Sequence, residues 1–238
     1  MFSWLAKIFT LRTNPKKIAW WTGADAIRLV VMPPISFISK IRIINTRIFW
    51  KIAHRAYNEH WVNHAELSAA LIDFGVPVKK IKIKPTPFGY PKFKKNDKAF
   101  KVLFYVNRLE KKKEFIDWIY GVEYLEELEK HFNVLLVEGK SMPEDFFPKS
   151  SVFVKINRTK YNGMNITGKI CIANKIPVYA VDAYKNDFEK NVEDLIKWIT
   201  TKKDMWRIKN AKKDNSKNLS KKGIRTESSP VKNYMKIY

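Results

Sequence analysis

Short apolar runs alternate with helical repeats of apolar residues along most of the chain. The runs have the length of strands and predict strands at residues 17–21, 61–62, 78–84, 102–106, 134–137, 152–156 and 178–181. Apolar positions at helical spacing predict helices at residues 26–31, 39–57, 65–74, 114–121, 123–131, 167–173 and 187–200, with a short helix or loop at 143–147. Strands that alternate with helices indicate an α/β fold with a parallel sheet and right-handed crossovers.

Residues that can cap a helix flank two of the predicted helices. Asp25 directly precedes the first predicted helix, and Asn63 stands just before the segment 65–74. Both side chains are of the kind that accepts hydrogen bonds from first-turn N–H groups, and Gly75 follows the second helix as a C-cap would. We therefore expect Gly23 and Asp25 to form a tight turn and a helix cap, with an Asp25 that faces an acceptor cleft as the alternative.

The chain changes character twice. Three prolines and a glycine fall within residues 85–91 and a basic run follows, which indicates a linker. From residue 202 onwards Lys, Asn and Ser dominate and apolar residues are few. We therefore predict an abbreviated α/β region over 1–87, a second α/β domain over 88–201, and a basic, mobile tail over 202–238.

The charge is strongly positive. The 238 residues include 46 Lys and Arg against 23 Asp and Glu, which gives a formal charge of +23. Such a charge attracts polyanions, namely nucleic acid, an anionic membrane surface or phosphorylated substrates, and does not choose among them. The apolar content suffices for a core, so the chain is not disordered as a whole. No recognised nucleic-acid-binding motif accompanies the charge.

Cysteine and histidine usage argues against a metal or a disulfide framework. The one cysteine, Cys171, permits neither an intrachain disulfide nor a thiolate metal site, and it is compatible with a reducing cytoplasm.

No run approaches the roughly 20 apolar residues of a membrane span. The N-terminal MFSWLAKIFTLR has aromatic residues at helical spacing, which predicts either burial or docking to a membrane interface. We expect a cytoplasmic protein, peripheral at the inner membrane face.

Cationic loops follow two of the predicted strands. Arg108 and Lys113 follow the strand 102–106, and Arg158 and the pair Asn162-Gly163 follow the strand 152–156. Ligands of open α/β sheets bind beyond the carboxyl ends of the strands, and cations there suit a phosphate-bearing ligand. The alternatives are ordinary surface cations, a structural ion pair of Arg158 and a simple Asn-Gly turn.

Four segments together resemble nucleotide-sugar-dependent glycosyltransferases of the GT-B fold, which have two Rossmann-like domains. WWTGADAIRL is similar to a W-x-G-x-D turn of the acceptor-side domain, and NHAELSAALIDFGVPVKKIKIKPTP is similar to the segment before the domain crossover. VNRLEKKKEF is similar to the G-R-L-x-x-x-K-G loop, with Arg108 and Lys113 in register. NRTKYNGMNITGKICIANKIPVYA is similar to the segment R-x-x-x-D/E-G … E-A-x-A-x-G-x-P-V, with these residues in register: Arg158, Gly163, Ala173, Pro177 and Val178.

The resemblance implies a GT-B-like fold in which 88–201 is a Rossmann-like donor domain. It implies an enzyme of the hexosyltransferase type that moves a sugar from a nucleotide-sugar to an acceptor, with a membrane-associated or lipid-linked acceptor suited to the charge. Arg108 and Lys113 would hold the diphosphate, on which negative charge develops as the glycosidic bond breaks. Arg158 would be a further anion contact, and Asn162-Gly163 would lie near the ribose or sugar. No cofactor and no metal are implied.

The sequence also departs from the pattern of this family. Asn107 and Glu114 replace the two glycines of the first loop, and Asn162 and Ile170 replace two glutamates of the second segment. Asparagine retains a hydrogen bond to a sugar, whereas isoleucine cannot. Two alternatives therefore stay open: a non-catalytic glycosyltransferase-like protein that works with a partner subunit, and a basic nucleic-acid-binding protein.

Overall fold

The computed structural model describes residues 17–21, 23–85, 89–96, 98–106, 114–138 and 143–221, the last eight of these by their backbone alone. Its strands are β1 (Ile18–Trp21), β2 (Glu59–Val62), β3 (Ile81–Ile83), β4 (Val102–Val106), β5 (Val134–Glu138), β6 (Val152–Ile156) and β7 (Val178–Val181). Its helices are α1 (Ala24–Val30), α2 (Phe37–Ala53), α3 (Ala65–Phe74), α4 (Glu114–Tyr120), α5 (Val122–His131), α6 (Pro143–Phe146), α7 (Ile166–Ala173) and α8 (Phe188–Lys221).

The strands form two parallel sheets, which confirms the predicted α/β class. The first sheet has the order β1-β2-β3 and the second has the order β5-β4-β6-β7. In the second sheet the chain leaves β4 towards β5 on one side and later returns to β6 on the other side. Such a reversal of strand order opens a crevice between the carboxyl ends of β4 and β6, where ligands bind in folds of this kind.

Most element boundaries follow the hydrophobic pattern to within two residues, with three larger differences. The predicted helix 39–57 ends at Ala53 and is followed by a turn of 3₁₀ helix at His54–Ala56. The predicted strand 78–84 is shorter, because Val78–Lys80 forms a turn of 3₁₀ helix and only Ile81–Ile83 pairs with β2. The predicted closing helix 187–200 continues to Lys221 as α8, into the part expected to be an irregular tail. Lysine is a good helix former, so a low apolar content does not itself end a helix.

Two helix caps differ from prediction by a residue or two. Gly23, not Asp25, is the N-cap of α1, with a φ of 137° that L-residues rarely adopt. His64, not Asn63, is the N-cap of α3. At the other end of α3 the prediction is confirmed, since Gly75 is left-handed with a φ of 105°.

The described residues up to Ile199 form one compact unit, and Thr200 begins another. One core contains Trp21, Val62, Leu71 and their neighbours of the first sheet, and it also includes Ile119 of α4 and Tyr161. A second core lies in the β4–β7 sheet, and its buried members include Leu103, Phe153 and Cys171. The first core therefore joins the two sheets. No helix in the described part of the chain is both long and apolar enough to cross a bilayer.

Candidate functional site

A cavity of about 450 Å³ lies at the carboxyl ends of strands from both sheets. Trp20 and Gly23 line it from the end of β1, and His64 lines it from the segment after β2. Tyr105 of β4 and Lys155 of β6 line it from the second sheet. Its volume falls in the range of small-molecule sites, and its position is the crevice that the strand order of the second sheet creates.

Only one of the two predicted cationic loops can be placed. Arg108 and Lys113 follow β4, but they lie outside the described residues. The segment after β6 is described, and Asn162 and Gly163 both line the cavity. Since β4 and β6 are adjacent and parallel, the two predicted loops leave neighbouring strands at the same edge of the sheet.

Gly163 allows the second sheet to approach α3 closely. A β-carbon at this position would lie 2.6 Å from His64 Nδ1 and 2.8 Å from Glu66 Oε2, closer than side chains tolerate. Asn162 orders the same loop, because its Oδ1 accepts hydrogen bonds from the backbone N–H and the hydroxyl of Thr159, both at 2.9 Å. A side chain at this position would therefore have to displace His64 and Glu66, whereas the backbone conformation itself does not call for glycine.

His64 and Glu66 form a hydrogen-bonded pair at the cavity wall. Nδ1 of His64 lies 3.0 Å from Oε2 of Glu66, and the backbone N–H of Leu67 approaches the same nitrogen at 3.4 Å. The capping bond from Leu67 forms only when Nδ1 carries no proton, whereas the shorter contact with the carboxylate favours a proton there. In that tautomer Nε2 holds the lone pair. Burial lowers the pKa of His64 more strongly than Glu66 raises it, so the ring is neutral at pH 7.

Lys155 places a buried cation in the cavity wall. The residue is only 8% exposed, and its Nζ donates a hydrogen bond to Oδ1 of Asn157. The amide of Asn157 in turn donates to Oδ1 of Asp182 at 3.0 Å. Burial lowers the pKa of Lys155 to about 8, against the opposing effect of the Asp182 and Glu66 carboxylates. A cation held at this cost needs a functional or structural reason.

Asn63 adds a polar atom without a protein partner. Because His64 caps α3 in its place, the Asn63 side chain lines the cavity instead. Its Oδ1 is buried and has no hydrogen-bond partner among the described residues. A buried acceptor of this kind suits a hydroxyl or amino group of a ligand.

The amino end of α7 also points to the cavity. Asn165, the N-cap, accepts a hydrogen bond from the backbone N–H of Gly168 at 2.8 Å, and both Asn165 and Thr167 line the cavity. The first N–H groups of a helix carry a partial positive charge. Together with Lys155, this helix end makes one wall of the cavity electropositive.

Arg158 has a different environment from the one that the resemblance implies. Its guanidinium forms an ion pair with Glu123, and its Nε donates to the carbonyl of Trp118 at 3.1 Å. It also lies over the rings of Trp118 and Tyr124. Arg158 does not line the cavity. The structural ion pair therefore accounts for its position, and contact with an anion would require that pair to open.

Gly23 and Asp25 lie close together in the chain, but only one of them lies at the cavity. Gly23 lines the cavity, whereas Asp25 lies on α1 and pairs with Arg28 at 3.4 Å. The side chain of Asp25 is exposed and is not part of the lining. The structure thus places the turn at the cavity and the carboxylate away from it.

Sequence reasoning missed Lys155 and the roles of His64 and Glu66. A lone lysine within the apolar run 152–156 was a signal, because all five positions of β6 are buried. His64 and Glu66 form their pair at the start of α3, and the sequence alone does not show that this helix start lies at the cavity.

Within the described ranges, no three His, Cys, Asp or Glu side chains gather as a metal site would require. A scan against protein-family models found no match for this chain, and searches of curated proteins and of solved structures found none either.

Proposed function

We propose that the cavity binds a nucleotide-sugar and that the protein transfers the sugar to an acceptor. One observation carries the proposal: a cavity of about 450 Å³ at a strand-order reversal, lined by a buried lysine, by the amino end of a helix and by an imidazole that is hydrogen-bonded to a carboxylate. The GT-B arrangement, with the donor domain at 88–201, belongs to the same proposal.

The electropositive wall is the place for the diphosphate. Lys155 and the amino end of α7 supply positive charge there, and Arg108 and Lys113 follow the adjacent strand β4. When the bond between the sugar and the diphosphate breaks, its electron pair passes to the diphosphate oxygen. Fixed positive charge at that oxygen lowers the barrier to this step.

His64 is the group that would accept a proton from the acceptor hydroxyl. Its neutral ring has a free lone pair on Nε2 when Nδ1–H donates to Glu66, and Glu66 stabilises the imidazolium that forms. The acceptor oxygen would then attack the sugar carbon as its proton moves to Nε2. The close approach of Gly163 to His64 brings the loop after β6 next to the amino end of α3.

A thermal-shift screen against UDP, GDP, dTDP and their sugars tests donor binding. A nucleotide that binds the native state raises the melting temperature by mass action. We expect one nucleotide to stabilise the protein and Arg108→Ala to reduce that shift. Arg158→Ala is the contrasting variant, because it should lower the melting temperature with and without nucleotide while leaving the shift in place.

A transfer assay then separates an enzyme from a binding subunit. With the stabilising nucleotide-sugar, we expect release of the nucleoside diphosphate that falls at least about tenfold in His64→Gln. Donor binding without release would favour the non-catalytic alternative. Absence of any stabilising nucleotide, together with salt-dependent binding of random DNA, would favour the nucleic-acid alternative.

A further inference from the structure

The outward face of α2 is apolar along its whole length. Five of its six large exposed apolar residues recur every three or four positions, and the sixth is Ile38 beside them; the five are Phe37, Ile41, Ile44, Ile48 and Ile52. We call these five residues the α2 stripe. Exposure reaches 76% at Phe37 and 56% at Ile48, values unusual for large apolar side chains in a continuous row.

The opposite face of α2 anchors the helix to the protein. Ile43 and Ala53 are buried, and Trp50 packs against Trp21 with ring centroids 4.6 Å apart. The helix is therefore held by one apolar face while it presents the α2 stripe on the other. This helix has two apolar faces, and one of them is exposed to water. The exposed face needs a second partner to cover it.

Basic residues border the α2 stripe on one side, and the helix contains no acidic residue. At 100° per residue, Lys40 and Lys51 lie on that side, whereas Arg42 lies farther around the helix on the other side, within electrostatic reach of Glu114. Lys51 is also fixed in place, because its Nζ donates to the carbonyl of Phe74 and lies 4.6 Å from the centre of the Phe74 ring. An exposed apolar face with basic residues beside it is the pattern of a helix that lies in a membrane interface.

We propose that α2 docks the protein on an anionic membrane surface, with the α2 stripe in the acyl boundary and its basic border at the headgroups. A second copy is a poorer occupant, because pairing two such faces would bring like charges together in a chain of charge +23. Residues 1–16 are also a poorer occupant, since they contain three basic and no acidic residues. The docking is independent of the sugar-transfer proposal.

A site-specific fluorophore tests which surface meets the bilayer. The native Cys171 is fully buried and its pKa is raised to about 12 by burial, so an introduced cysteine can be labelled selectively. The full-length Ile48→Cys variant carries an environment-sensitive nitrobenzoxadiazole dye. The matched control is Ile172→Cys on α7, where the native residue is 58% exposed.

We expect vesicles of phosphatidylcholine and phosphatidylglycerol to raise the emission several-fold and shift it to the blue for the label at 48 only. Pure phosphatidylcholine should have a much weaker effect. An equal response at both positions, or no response at 48, overturns the proposal. An apolar emission spectrum without vesicles also overturns it, by pointing to residues 1–16 if concentration-independent or to a second copy if concentration-dependent.

Cosedimentation with the same vesicles tests the two components separately. Ile44→Gln/Ile48→Gln should abolish most binding, whereas the similarly exposed control Ile72→Gln/Ile172→Gln should retain it. Lys40→Gln should weaken binding to anionic vesicles about fivefold, as expected for loss of one basic residue near the surface. Equal losses in the two isoleucine pairs would contradict the assignment to α2.

Discussion

Gly163 and His64 meet across the boundary between the two sheets, with no room for a side chain at the glycine. A β-carbon at residue 163 would lie 2.6 Å from Nδ1 of the imidazole. The contact joins the segment after β6 to the amino end of α3. It therefore couples the geometry of the imidazole–carboxylate pair to the loop that we propose holds the donor.

Replacement of Gly163 by alanine should disturb both stability and binding. The added methyl group must displace His64 or the loop, and overpacking of this kind costs about 1–3 kcal/mol. Chemical denaturation of Gly163→Ala measures the loss. The control is Gly89→Ala, where no atom lies within 4 Å of the added carbon, so stability should stay level or rise slightly. Equal stability of the two variants would argue against the close approach.

Lys155→Met should make the protein more stable and should weaken its binding of the nucleotide. Removal of a buried charge whose pKa is lowered to about 8 should raise the free energy of unfolding by roughly 1–3 kcal/mol. Loss of a charged contact to the diphosphate should weaken binding about tenfold or more. Denaturation and calorimetric titration provide the two readouts, with the exposed Lys190→Met of α8 as the control.

The contribution of Lys155 to the free energy of unfolding should change with pH in a defined direction. The folded pKa of Lys155 lies below its ordinary 10.5, so the unfolded chain binds more protons between about pH 8 and 10.5. This group therefore contributes stability that increases as the pH rises through that window. The contribution should be missing from Lys155→Met, and an identical slope in both proteins would contradict the buried charge.

His60 should remain neutral well below the pH at which an exposed histidine titrates. Trp21 Nε1–H donates to its Nδ1 at 3.1 Å, and its Nε2 lies 3.2 Å from the carbonyl of His54 and donates to it. A second proton on Nδ1 would face the indole N–H. Burial, the main cause, lowers the pKa of His60, so its contribution to stability is present above pH 6.5 and is lost as the pH falls towards the folded pKa. Imidazole ¹⁵N spectra should show the Nε2–H tautomer throughout, and a titration midpoint at or above 6.5 would contradict this arrangement.

Lys175→Gly should stabilise the turn after α7. Lys175 is the one non-glycine residue with a positive φ in the described part of the chain, at 56°. The left-handed conformation costs about 1–2 kcal/mol for an L-residue, partly offset by the greater chain entropy of glycine when unfolded. We therefore expect a gain of about 0.5–1 kcal/mol in denaturation experiments. Lys175→Ala keeps the left-handed strain and should show no such gain.

The hydrophobic pattern predicted several strands well, most clearly β6, where all five positions are buried. β4, β6 and β7 have the predicted bounds, and the bounds of α3 are also as predicted. Caps were harder to predict, since Asn63 and His64 compete for the same N–H groups and the geometry of the cavity decides between them. The end of α8 was missed because lysine-rich sequence is compatible with both a helix and an irregular tail.

The candidate site was only partly predictable for a related reason. Asn162 and Gly163 were found from their position after an apolar strand, and both line the cavity. Arg158 has the same sequence context, yet a partner 35 positions away, Glu123, binds its guanidinium. Contacts between distant segments decide whether a cation faces a cavity or an ion pair, and one sequence does not contain them.

Amide chemical shifts test the central claim most directly. The measurement is a titration of ¹⁵N-labelled protein with the nucleotide found in the thermal-shift screen, at a physiological salt concentration. The proposed site predicts that the largest changes occur at the amides of residues 163–168, next to Lys155 and the amino end of α7. Changes confined to the lysine-rich part of α8 beyond Thr200 would contradict the site and would favour binding of polyanions by charge alone.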